Sequence, residues 1–65
     1  MTPNRQNALY FFTTSMRVAR PDKRTVRWLV RQRLIRKTRT IGEVDYYHPT
    51  RRGKALSDSL MKAEP

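Results

Sequence analysis

The chain has 65 residues, and its 15 lysines and arginines against five acids give a formal net charge of +10. That length makes one domain with a core of marginal size, and the absence of cysteine excludes disulfides, thiolate zinc sites and thiol nucleophiles. So basic a chain places nucleic acid first among partners, ahead of an anionic membrane surface or an acidic protein.

Thr2 before Pro3 is a helix-start signature, a hydroxyl cap followed by a proline where no N–H donor is needed. A first helix is predicted from about residue 3 to residue 13, with Ala8, Leu9, Phe12 and Met16 on the inner face and Tyr10 and Phe11 at its flank. Thr13, Thr14 and Ser15 then weaken the helix by competing for backbone hydrogen bonds. Met16 to Ala19 reads equally as a short helix or a brief strand.

The next helix organises the chain. It starts near Pro21 or Asp22, where the acid suits the positive end of the helix dipole, and ends near Gln32 or Arg33. At 100° per residue it gathers Val26, Leu29 and Val30 on one side with Trp28 at the flank, and Lys23, Arg24, Arg27 and Arg31 on the other. Solvated helix faces usually mix both signs. Here Arg17, Arg20, Lys23, Arg24, Arg27, Arg31, Arg33, Arg36, Lys37 and Arg39 stand against Asp22 alone, and an anionic partner is the economical explanation.

After Ile35 the period changes to that of strands. Arg36 to Ile41 and Val44 to Pro49 read as a hairpin about Gly42 and Glu43, a type II′ turn that sets Ile41 opposite Val44, Thr40 opposite Asp45 and Thr38 opposite Tyr47. Arg36, Lys37 and Arg39 make its first strand a basic edge, which also discourages aggregation. Pro49 ends the second strand, and Thr50 caps a last helix running to about Lys62, with Leu56, Leu60 and Ala63 inward and Gly53 permitting a close approach. Arg51, Arg52 and Lys54 in its first turn oppose the helix dipole unless an anion is near.

Helix, basic helix, ribbon and closing helix is an α+β order, that of a small winged helix-turn-helix domain spanning residues 1–65. The runs TVRWLVRQRLI (25–35) and YYHPTRRGKAL (46–56) resemble the recognition helix of the winged-helix superfamily and its second wing strand followed by the T-x-x-G start of the last helix. That resemblance implies Tyr47 in the core. A narrower likeness is to lambda-type phage excisionases: Thr25, Val26, Val30, Arg31 and Ile35 hold their spacing, with Trp28 one position before the usual tryptophan. Arg33 stands where many winged-helix regulators have a glycine.

The resemblance implies a double-stranded DNA-binding protein, a small phage or prokaryotic transcriptional regulator, with an excisionase-like recombination factor as one alternative. Lys23, Arg24, Arg27 and Arg31 would enter the major groove, Arg24 and Arg27 reading bases. Arg36, Lys37, Arg39, Arg51 and Arg52 would meet backbone or minor groove. A rival from another class is a small basic inhibitor of an acidic host protein, and self-association as a dimer or cooperative array is a further expectation. RNA ranks lower, for want of an evident stacking strip.

No apolar run approaches the ~20 residues that span a bilayer, and the N-terminus lacks the basic-then-apolar order of a signal peptide, so a cytoplasmic, nucleoid-associated location without membrane binding is expected. One histidine, His48, and the scattered Asp22, Glu43, Asp45, Asp58 and Glu64 give no catalytic grouping or metal-ligand spacing. No enzyme activity, cofactor or metal is expected.

Overall fold

The computed structural model describes residues 1–14 and 16–63, in the order α1 (Pro3–Thr13), α2 (Lys23–Arg31), β1 (Ile35–Ile41), β2 (Val44–Pro49) and α3 (Arg51–Ala63). The Thr2 hydroxyl caps α1 by accepting from the Arg5 N–H at 3.3 Å. The helix stops at its threonines: the Thr13 hydroxyl donates to the Leu9 carbonyl and the Thr14 hydroxyl to the Tyr10 carbonyl, both at 2.9 Å, while Thr14 turns extended. Ser15, predicted to share this role, lies outside the described residues, as do Glu64 and Pro65. Met16 to Ala19 forms neither the helix nor the strand considered for it, and Met16 is exposed, outside the core predicted for it.

Asp22 caps α2, its carboxylate accepting from the Thr25 N–H at 2.8 Å. At the other end Gln32 is the C-cap, and Arg33 adopts the left-handed conformation (φ 60°) that glycine usually supplies. The Arg33 N–H donates to the Val30 carbonyl at 2.9 Å and the Leu34 N–H to the Leu29 carbonyl at 3.0 Å. This turn drives Leu34 back against Leu29, both buried, so the C-cap is also a piece of core.

The core is Ala8, Leu9, Leu29, Leu34 and Ile35, wrapped by half-buried Phe12, Val26, Trp28, Tyr47, Leu56 and Leu60. Tyr10 is buried with its hydroxyl accepting from the Gln6 amide at 2.9 Å, whereas Phe11 faces solvent. Tyr47 meets Phe12 edge to face at 5.9 Å between centroids, the inward orientation implied by the winged-helix likeness. Two further predicted core positions are corrected. Val30 is 39% exposed while Thr25, one turn before Leu29, is only 7% exposed, so the buried stripe of α2 centres on Thr25 and Leu29. Ala63 is exposed because the end of α3 runs past the core.

The strands pair antiparallel with Ile41 opposite Val44 and Thr40 opposite Asp45, as predicted, about a turn whose Gly42 has φ +63°. The predicted pairing of Thr38 with Tyr47 is wrong: Lys37 faces Tyr47, Arg39 faces Tyr46, and the register shifts between Lys37 and Arg39. Thr38 is thus a β-bulge, its hydroxyl donating to the Tyr46 carbonyl at 3.2 Å. Without the extra residue, Ile35 and Tyr47 would fall on opposite faces, and both belong to the core.

The last helix is clasped to the end of α2. The Thr50 N–H donates to the Leu34 carbonyl at 3.0 Å, its hydroxyl donates to the Arg33 carbonyl at 2.6 Å, and that hydroxyl accepts from the Gly53 N–H at 3.0 Å. A Cβ at Gly53 would fall on the Leu34 carbonyl oxygen, so the close approach needs glycine. Further along, Ser57 is buried and shares a 2.8 Å hydrogen bond with Thr13. Three helices and a two-stranded antiparallel ribbon make an α+β fold in the order of a small winged helix-turn-helix domain, with residues 16–22 irregular ahead of α2.

Candidate nucleic-acid interface

Thr25 and Leu29 fix the inward direction of α2, and the opposite direction therefore falls on Lys23, Arg24, Arg27 and Arg31, all exposed. The N-terminal part of α1 lies alongside. Between the two helices is a shallow cleft of about 990 Å³ whose lining includes all four of these cations together with Arg5 and Trp28. Five cations thus share the cleft with one carboxylate, that of Asp22. That carboxylate is already engaged: hydrogen bonds from the Thr25 side chain and backbone hold its pKa below the ordinary value. Its charge serves the helix end.

Arg5 is the residue that sequence reasoning missed. Its guanidinium carbon sits 4.2 Å from the centroid of the Trp28 ring, a cation–π contact that fastens α1 to the basic helix and adds a fifth charge to its face. No local pattern announces it, because the contact exists only once α1 and α2 cross. Asn4 reaches toward the same helix, its amide 3.5 Å from the Thr25 hydroxyl. Val30, displaced from the core, adds an apolar side chain beside the cations.

On the far flank of Trp28 a smaller groove of about 430 Å³ is lined by Met1, Trp28, Gln32, Leu34, Arg52, Ala55 and Leu56. Arg52 therefore approaches the C-terminal end of α2, where the Thr50 clasp starts α3 beside Arg33. Arg51 is exposed in the same first turn. Arg36, Lys37 and Arg39 are exposed on the ribbon and line neither cavity. The predicted residues thus form three groups: Lys23, Arg24, Arg27 and Arg31 in one cleft with Arg5, Arg36, Lys37 and Arg39 on the arm, and Arg51 and Arg52 in the first turn of α3.

Chemically, the cleft offers donors and positive charge to phosphate, and arginine forks suited to paired acceptors. Among the described residues no group of three or more metal-ligating side chains is found, and none of their helices is long and apolar enough to cross a membrane. These features define a small winged-helix-type α+β domain with a one-signed cationic helix face. Comparison of the chain with protein-family models, with curated proteins and with solved structures gives no match.

Proposed function

We propose that this protein binds double-stranded DNA, with α2 in the major groove and the β1–β2 ribbon on the backbone or minor groove, as a small phage or prokaryotic transcriptional regulator. The observation that carries the reading is the cleft of five cations whose single carboxylate is tied up as a helix cap. Arg24 and Arg27 are the base readers in this scheme, since arginine bonds guanine O6 and N7 together. Arg5, Arg31, Arg51 and Arg52 meet phosphates, and Arg36, Lys37 and Arg39 extend the contact along the ribbon.

A salt titration of duplex affinity by anisotropy tests it. With about six phosphates neutralised, the slope of log affinity against log salt is near −5, from roughly −0.9 per phosphate. A flat response, or tight binding to an acidic protein with none to DNA, rejects it in favour of a basic inhibitor.

A further inference from the structure

The outer face of the ribbon is unpartnered and chemically specific. Because residues paired across an antiparallel ladder share a face, the bulge at Thr38 places Arg36, Arg39 and Ile41 together with His48, Tyr46 and Val44. Tyr47, Pro49 and Ile35 point the other way, into or toward the core. Ile41 is 57% exposed, Tyr46 47% and Val44 44%, and Arg36, Arg39 and His48 are exposed with them. The face carries no carboxylate. Asp45 lies on the opposite face, accepting from the Thr40 hydroxyl at 2.7 Å.

A duplex backbone would use the two arginines and leave the ring and the aliphatic tip without purpose. A second copy of this chain, itself at +10, would be repelled by them. What uses cation, ring and apolar surface together is an unpaired nucleotide, which offers a phosphate and a π-face at once. Tyr46 and His48 are two residues apart on one strand, about 6.8 Å, so each ring has room for its own base.

We propose that this face of the ribbon is a stacking platform for single-stranded DNA flanking the duplex that α2 holds. The proposal rests on the duplex-binding reading above and extends its ligand from a plain duplex to a junction with an unpaired strand. Tyr46 is the principal stacking residue, Arg36 and Arg39 follow the phosphate backbone from the duplex onto the unpaired strand, and Ile41 and Val44 cover the bases at the tip.

The test compares three DNA hairpins by anisotropy at one salt concentration: blunt, with an overhang of about eight thymidines, and with an abasic overhang of the same length, within the range one small binding domain covers. The thymidine overhang is expected to bind roughly 5- to 150-fold more tightly than the abasic one, the range for stacking one base on an aromatic side chain. Tyr46→Ala removes that preference and leaves affinity for the blunt hairpin unchanged, while Tyr46→Phe retains it. Equal affinity for thymidine and abasic overhangs, or a preference that survives Tyr46→Ala, overturns the platform and leaves duplex binding standing. Failure to bind any hairpin at low salt overturns both. A dimer in sedimentation that Tyr46→Ala converts to monomer assigns the face to self-association and overturns the platform as well.

Discussion

Replacing Gly53 by alanine puts a methyl group where the Leu34 carbonyl oxygen already is. Backbone must move, and what moves is the clasp between α3 and the end of α2. Three hydrogen bonds depend on it: Thr50 N–H to Leu34, the Thr50 hydroxyl to Arg33, and Gly53 N–H to the Thr50 hydroxyl. At about 0.5–1.5 kcal/mol each they total roughly 1.5–4.5 kcal/mol. Alanine returns about 1 kcal/mol of helix propensity, leaving a net loss of about 0.5–3.5 kcal/mol. A domain of this size holds only about 3–10 kcal/mol in all. A thermal melt should fall by roughly 2–28 °C, at about 4–8 °C per kcal/mol. Ala55→Gly, at an exposed site on the same helix, is the control, with a loss of about 1 kcal/mol. If Gly53→Ala melts at or above the parent temperature, helix propensity alone is operating and the close approach of α3 to Leu34 is wrong.

Leu29→Ala, at a fully buried position, should cost about 2–5 kcal/mol, while Arg27→Ala should barely move the melt; similar losses would mean the faces of α2 are misassigned. Arg33→Gly relieves a left-handed arginine of about 1–2 kcal/mol and loses about 0.4–1 kcal/mol to unfolded-chain entropy, so denaturant titration should show a small net gain; a loss would count against the left-handed cap. Because the Asp22 pKa is lowered in the folded state, its contribution is present above the unfolded carboxylate value near pH 4 and is lost as pH falls through the folded value. Asp22→Asn should therefore melt with a shallower pH dependence below about pH 4 than the parent, and identical profiles would contradict the cap. On a site selected from random duplexes, Arg27→Ala should cost about 1–3 kcal/mol on the cognate sequence and little on random DNA, whereas Arg39→Ala should weaken both alike; the reverse would make the ribbon the reader.

The caps were legible in the sequence because they are local. Thr2, Asp22, Thr50 and Gly42 each act on neighbours a few positions away, and each stands in the role its residue type predicts. Val30 was misplaced and Thr25 passed over because a helical wheel ranks side chains by polarity. The actual inward direction of α2 is set by α1, which crosses at Thr25 and lets that small hydroxyl be buried beside the Asn4 amide. The bulge was missed for a different reason. Turn and root each prescribe a register, the turn through Ile41 and Val44 and the root through Ile35 and Pro49, and seven residues of β1 must meet six of β2. Only the demand that Ile35 and Tyr47 share a face reveals the mismatch. The four cations of α2 were read correctly as exposed, but Arg5 needed the crossing of two helices before it could join them.

The ribbon is anchored at one end only. Ile35 is buried and Tyr47 and Pro49 half-buried, whereas Arg36 to Ile41 and Val44 to Tyr46 are exposed. Its ladder should therefore open in stages, with amide protection approaching the global unfolding free energy at Ile35 and falling almost to none beside Gly42. Should the ribbon make the contacts proposed above, its outer half would be ordered by the encounter. Part of the binding energy would then go into fixing it, which would lower the affinity per contact and let one short hairpin follow ligands of differing shape.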